Sequence, residues 1–345
     1  MNYRRILRTT LSLSEIGFGC GGNAGMMVRG SASDQARIVA RALELGINYF
    51  DTAPDYGDGI AEDNLGRVLG AMGQRPVINS KVEIRRTNLD DIAGHIVRSC
   101  ESSLKRLGIE HLDILQIHNG PATDPPPLEG GSYRQLALKD FRRPDGVLEG
   151  LQRLKLAGKI KYAGFVCRGD DGDEVRELLD TGFFALINVP YTLLNPTAGI
   201  TAPSHLTMRP AFGGVINDAG ARGVGCAIYS PLAGGYLTDD RLGGGAGHPL
   251  ARKADPRSQA ARRDTEKARL VRFLATENGL SLAQAAYRFI LMHSHVTTVV
   301  GGFSSAEQME EIVQVSGMGP FTPDAMARLH QIWRSDFARQ RNSMG

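Results

Sequence analysis

Residues 48–66 read NYFDTAPDYGDGIAEDNLG. An apolar run stops at Asp51. Pro54 and Gly57 then punctuate a loop that carries Tyr56. Glu62 and Asp63 follow, acidic residues of the kind that suit the start of a helix. The stretch is therefore one strand, one loop and one helix, and the same order recurs along the chain. Strands are expected at EIGFG (15–19), INYFD (47–51), PVINSKV (76–82), LDILQIH (112–118), IKYAGFV (160–166), FALINVP (184–190), GCAIYS (225–230) and TTVVGG (297–302). Several of these runs are almost wholly apolar, as parallel strands covered on both faces must be. Helical patterns separate them. SDQARIVARALELG has a Ser/Asp cap near Ser33 and a stop at Gly46. NLDDIAGHIVRSCESSLKRLG stops at Gly108, and GVLEGLQRLKLAGK, DEVRELLDTG and RPAFGGVINDAGARG repeat the theme. Eight β-then-α units in unbroken order predict an α/β fold, a (β/α)8 TIM barrel closed on itself. A doubly wound sheet is the alternative.

The chain has 345 residues, 42% of them apolar, and is read as one barrel domain spanning 1–345. Three segments break the rhythm: 119–146 with DPPP and EGG, 231–263 with GGG, and the tail 318–345. The first two are expected as lid-like loops on the C-terminal face, where barrel active sites lie, and the tail as an extra helix around 323–338. No apolar run approaches the roughly 18 to 20 residues that cross a bilayer. The start, MNYRRILRTTLSLS, lacks the apolar core of a secretory signal. Cys20, Cys100, Cys167 and Cys226 are scattered without metal-ligand spacing. Reduced thiols in a cytoplasmic setting and no metal are therefore expected. The formal charge is only +3, and the one basic cluster (Arg252, Lys253, Arg257, Arg262, Arg263) comes with no nucleic-acid motif. Neither a nucleic-acid nor a membrane partner is expected, and oligomeric state is not readable.

In a barrel, the C-terminal ends of the strands converge on one mouth. Asp51, Lys81 and His118 stand at such ends, and Tyr56 lies in the loop just after one of them. Each alone has a structural explanation: a cap, a snorkelling lysine, a satisfied histidine, loop packing. Four ionisable groups at adjacent strand ends instead suit proton donation to a carbonyl. A free phenol titrates near ~10. A neighbouring ammonium is expected to pull that value down, with a carboxylate holding the lysine in place and a histidine holding the substrate oxygen. None of these groups can supply a hydride, so a nicotinamide cofactor is implied.

GINYFDTAPDYGDGIAEDNLGRVLG, INSKV, LDILQIH, AIYSPLAGG and VVGGFSSAEQMEE, in this order, resemble the motifs of the aldo-keto reductases over roughly residues 3 to 315. The resemblance implies a (β/α)8 barrel, NAD(H) or NADP(H) as cofactor, and a carbonyl, alcohol or sugar substrate. By matching position it makes Tyr56 the acid/base, Lys81 and Asp51 its partners and His118 the orienting residue. It further implies cofactor contacts. Tyr229 would stack on the nicotinamide, and Asn188 would stand for the usual glutamine. Ser230, Leu232 and Gly234 would line the diphosphate path. Gly302, Phe303, Ser304, Gln308 and Glu311 would meet the adenosine half, and Gly21 and Cys167 would lie beside the cofactor. Two departures weaken a simple transfer. Val166, Cys167 and Arg168 stand where Ser-Asn is common, and Gly302 and Gln308 stand where many NADP-using members carry basic residues. An NAD-dependent sugar 1-dehydrogenase is the nearest alternative, a cofactor-binding regulator of a membrane channel is one of another class, and a barrel isomerase or aldolase using Lys81 is a third. GFGCGG (17–22) mimics a dinucleotide fingerprint but does not open a helix directly, and GDDGDE (169–174) lacks the ligand spacing of a calcium loop.

Overall fold

The computed structural model of this chain describes residues 1–125, 135–200, 208–245, 248–250 and 258–337. A hairpin, β1 (Tyr3–Arg5) and β2 (Ser12–Ser14), precedes the barrel. The barrel strands are β3 (Ile16–Gly19), β4 (Tyr49–Asp51), β5 (Val77–Val82), β6 (Leu112–Ile117), β9 (Ile160–Val166), β10 (Leu186–Pro190), β11 (Gly225–Tyr229) and β12 (Thr298–Gly302). They pair in parallel, in that order, and β12 closes onto β3. All eight expected strands are present, and the doubly wound alternative falls because the sheet closes.

Side chains alternate along a strand, so every second residue faces the barrel interior. The interior consequently builds up in layers. Tyr49, Ile114, Leu186, Ala227 and Val300, with the partly buried Val77 packed against them, form an apolar floor that Ile6, Leu11 and Leu13 of the N-terminal hairpin segment cover. Two residues further along the same strands stand Asp51, Asn79, Gln116 and Asn188, all buried. Another step of two along β5 and β6 gives Lys81 and His118. The opposite faces, including Phe50, Ile78, Leu115, Phe165, Ile187, Cys226 and Val299, pack against the surrounding helices in one large cluster.

Helix Ala32–Glu44 is capped near Ser33 as expected, by Ser31, whose side chain accepts from Asp34 N; an N-cap oxygen reaches the amide three residues on. The segment 119–146 is not bare loop: β7 (Gly120–Ala122) pairs with β8 (Gln135–Ala137), and helix Leu138–Arg142 follows. Within 231–263, Arg262 and Arg263 lie on the exposed face of helix Gln259–Val271, whereas Arg252, Lys253 and Arg257 lie outside the described residues. The tail forms helix Pro323–Arg334, anchored by Trp333 Nε1 donating to Leu193 O at 2.9 Å. Among the described residues no helix is long and apolar enough to cross a membrane, and no group of His, Cys, Asp and Glu is arranged to hold a metal ion.

Candidate active site

Asp51, Tyr56, Lys81 and His118 meet at the C-terminal mouth of the barrel. Lys81 is 2% exposed, so its ammonium needs partners from the protein. It finds three. Nζ donates to Asp51 Oδ1 in a very short contact, to Thr52 O at 2.9 Å and to Tyr56 Oη at 3.2 Å. The other Asp51 oxygen accepts from Asn79 Nδ2 at 2.8 Å and Asn188 Nδ2 at 3.0 Å. Gln116 ties these two amides together, accepting from Asn79 Nδ2 at 3.1 Å and donating to Asn188 Oδ1 at 2.9 Å. The polar layer of the barrel is thus a platform of amides that aims one carboxylate at one ammonium. Burial alone would depress the Lys81 ammonium, but Asp51 and Tyr56 outweigh it and hold the group above its ordinary range.

Tyr56 departs from expectation. Burial pushes its phenol above the ordinary value, Asp51 adds to that, and Lys81 opposes it without reversing the outcome. The ammonium is where the sequence puts it, but desolvation of the phenolate is the larger effect. The phenol is therefore protonated throughout the neutral range.

His118 lies edge-on to Tyr56, with ring centroids 6.0 Å apart. Its Nδ1 faces Asp55 Oδ2 at 3.4 Å, and Asp55 also takes Arg85 Nη2 at 2.8 Å. Burial, with Lys81 and Arg168 adding to it, lowers the imidazole to about 4 despite Asp55. A free histidine titrates near ~6.5. Between those two values the unfolded chain binds a proton that the folded chain refuses, so this group's share of stability falls as pH drops through that window. In an NMR titration the His118 ring is expected to keep its neutral chemical shift from pH 8 down to about pH 5. A midpoint near that of a free histidine would show that Asp55 prevails over burial.

The residues matched to cofactor contacts lie at strand ends (Tyr229, Gly302), in the turns that follow strands (Gly21, Cys167, Ser230, Leu232, Gly234, Phe303, Ser304), within β10 (Asn188) and in helix Ala306–Val313 (Gln308, Glu311). Tyr229 ends β11, and its hydroxyl donates to Cys167 O at 2.9 Å, which fixes the ring. Beyond it the backbone turns left-handed at Ser230, Ala233, Gly234 and Gly235, with φ of 53°, 50°, 72° and 95°. A Cβ at Gly235 would meet nothing within 4 Å, so this turn borders open space. Ser304 is buried; its Oγ donates to Ala24 O and its N–H to Gln308 Oε1, both at 3.0 Å. That turn leads into helix Ala306–Val313, capped by Ser305. A Cβ on Gly21 would come within 3.8 Å of the Tyr56 ring, and one on Gly302 within 3.1 Å of Ala24. Three side chains have prior commitments. Asn188 belongs to the amide platform, Glu311 accepts from Ser281 Oγ in a very short contact, and Phe303 packs against Phe18 with centroids 6.0 Å apart.

Sequence reasoning missed Asn79, Gln116, Thr52 O and Asp55. Period two was the available signal: Asn79 precedes Lys81 by two, and Gln116 precedes His118 by two.

The fold is a (β/α)8 barrel with Asp51, Tyr56, Lys81 and His118 gathered at its C-terminal mouth. The chain belongs to the aldo/keto reductase family, whose sequence profile matches residues 15–334. NAD(P)(H)-dependent transfer between carbonyl and alcohol is that family's chemistry. The chain is 27% identical over 314 residues to L-galactose dehydrogenase of Arabidopsis thaliana, covering 90% of this chain and 86% of that protein. It is 28% identical over 353 residues to L-glyceraldehyde 3-phosphate reductase of Escherichia coli K12, covering 96% and 92%. Its fold matches aldo-keto reductase AKR11C1 from Bacillus halodurans in the holo form, with a TM-score of 0.71, 24% identity and 99% coverage of each chain.

Proposed function

We propose that this protein interconverts a carbonyl and an alcohol on a small hydroxylated substrate of the sugar or short-aldehyde kind, with Tyr56 as its proton donor. The observation that carries the reading is the buried Asp51–Lys81 pair with Lys81 Nζ 3.2 Å from Tyr56 Oη. A protonated phenol passes its proton to the substrate oxygen as the C=O bond becomes C–O–H. The ammonium beside it stabilises the phenolate left behind, and Asp51 keeps that ammonium charged and in place. None of these side chains donates electrons, which is the donor set expected where a nicotinamide is bound. When bound, that cofactor would supply the hydride chemistry that these side chains lack.

The loops fit such a group. The open left-handed turn at 230–235 offers backbone for a diphosphate, Tyr229 offers an aromatic face, and the N-terminus of helix Ala306–Val313 favours phosphate. Gly21, Cys167, Leu232 and Gly302 would line the same path. Gln308, tied to Ser304, would shape the adenosine end, while Phe303 and Glu311 would contribute through backbone or packing.

His118 narrows the substrate. A neutral imidazole has one N–H, and an ionised Asp55 at Nδ1 can only accept it. This assignment leaves Nε2 as an acceptor, suited to a substrate hydroxyl rather than to a bare carbonyl. A hydroxyl beside the reacting carbon, as in a sugar or hydroxyaldehyde, meets that need. The two curated relatives named above, a galactose dehydrogenase and a glyceraldehyde phosphate reductase, point to the same class. The four free, buried cysteines suit a reducing cytoplasm, and we read the chain as a single catalytic unit.

The test is a fluorescence titration with NADH and with NADPH, followed by turnover on paired aldehydes and sugars. Quenching by at least one dinucleotide and faster turnover of 2-hydroxyaldehydes than of their deoxy counterparts are expected. Quenching by neither would end the reading.

A further inference from the structure

The charged groups at the barrel mouth are nearly all paired. Lys81 has Asp51. Arg85 has Asp55 at 2.8 Å and Glu83 at 3.5 Å. Arg168 is different. It follows β9 by two residues, at the rim of the mouth, and its half-buried side chain crosses the end of β6. The crossing is tight: a Cβ on Gly120 would lie 2.8 Å from Arg168 Cβ and 2.9 Å from its Cγ. Nε donates to His118 O at 2.9 Å, so the guanidinium is fastened to the backbone of the orienting histidine. The backbone at its root is fastened too, because Asp171 Oδ2 accepts from Arg168 N at 2.8 Å and from Gly169 N at 3.3 Å. Among the described residues no carboxylate lies within ion-pair distance of this guanidinium, and neither terminal nitrogen has a hydrogen-bond partner. Its charge is nonetheless close enough to bear on Tyr56, His118 and Tyr229.

Such an arrangement is unusual for a side chain with five N–H donors in a fixed fork. A merely structural arginine spends its outer nitrogens on carbonyls or carboxylates, as Arg4 does here with Leu291 O, His293 O and Val296 O. Arg168 spends only Nε. The two terminal nitrogens form the edge that grips two oxygens of an anion side by side. We infer that Arg168 is a specificity-determining residue that binds an anionic group, a carboxylate or a phosphate, on the substrate whose carbonyl oxygen faces Tyr56 beside His118. This rests on the reading of the site as a carbonyl reductase and narrows it to short substrates carrying a negative charge. Fixing the fork in advance reduces the entropy lost when the anion docks, and the Nε bond couples that docking to the position of His118.

The experiment compares charged and neutral twins on the full-length protein with a saturating dinucleotide. 4-Oxobutanoate is set against 4-oxobutanamide, and glyceraldehyde 3-phosphate against glyceraldehyde. In at least one pair, kcat/KM for the anion is expected to exceed that of its twin by about 10-fold or more, the scale of one charge-assisted bidentate contact. Which pair shows the gap distinguishes carboxylate from phosphate. Arg168→Gln is expected to bring that ratio close to one, whatever it does to the absolute rates, and Arg168→Lys to restore part of it. The dissociation constant of the dinucleotide, followed by fluorescence, is expected to move less than the ratio does. The inference is overturned if wild type treats both twins of both pairs alike, or if Arg168→Gln keeps the gap. It is equally overturned if the variant weakens the dinucleotide while the ratio stands, which would place Arg168 on the cofactor. Should no aldehyde be turned over, the reductase reading fails separately. Calorimetric titration with 4-hydroxybutanoate against 4-hydroxybutanamide, and with glycerol 3-phosphate against glycerol, then decides the anion site. Equal or undetectable binding within both pairs removes it.

Discussion

Tyr56→Phe yields a folded protein that still binds its dinucleotide and loses about 10²–10⁴-fold in kcat, the usual worth of a positioned general acid. The substitution removes one oxygen and little else. The ring keeps its packing beside Gly21 and its edge-on contact with His118. Lys81 keeps Asp51 and Thr52 O, so the buried ammonium is not left alone. Stability should therefore change little, and a loss of turnover with an unchanged melting curve is the diagnostic result. The wild-type pH profile supplies a second check. A phenol held above its ordinary value stays protonated, so the rate of carbonyl reduction should show no decline assignable to Tyr56 until the pH passes about 10. Turnover that survives in the Phe variant would transfer the role of acid to another group. A decline well below that pH, abolished in the Phe variant, would mean that Lys81 overcomes burial after all.

The barrel was legible because its strands are covered on both faces and so are written as largely apolar runs of five to seven residues, separated by capped helices. The N-terminal hairpin of two three-residue strands was not, since SLS in 12–14 carries no periodicity above chance, and β7 and β8 are equally short. The mouth was legible where a charged residue interrupts an apolar run, as in INYFD, INSKV and LQIH. The amide platform was less so. Asn79 and Gln116 look like ordinary polar interruptions until the inward-facing register is imposed, after which they fall directly beneath Lys81 and His118. The phenol's titration was misjudged for a different reason. Sequence shows that a lysine is near, but only the fold shows how much water is removed, and here desolvation prevails over the ion. Asp55 was hidden, and Arg168 was visible only as a departure from Ser-Asn, because what each faces lies across loops: Asp55 meets an imidazole 63 positions away, and Arg168 meets a carbonyl 50 positions away.

Lys81→Met carries the largest expected cost in stability, about 3–5 kcal/mol, because it leaves the carboxylate of Asp51 buried without its cation. The amides of Asn79 and Asn188 remain on one oxygen, but the other loses the Lys81 ammonium. Activity falls as well, since the phenolate formed on proton transfer loses the charge that stabilises it. These two losses have different physical origins and can be separated. In Asp51→Asn/Lys81→Met the uncompensated charge is gone, so equilibrium urea unfolding should recover most of the stability lost in the single variant. Turnover should not recover, because no ammonium stands beside Tyr56. A double variant that regained both would show that Lys81 matters only for holding the barrel together. One that regained neither would show that the polar layer beneath, from Asn79 through Gln116 to Asn188, depends on the anion and not merely on the shape of residue 51. The pair is buried at a cost that apolar residues of similar volume would avoid, and under the proposed function the compensation for that cost is chemical: a cation fixed 3.2 Å from the hydroxyl proposed to give up its proton.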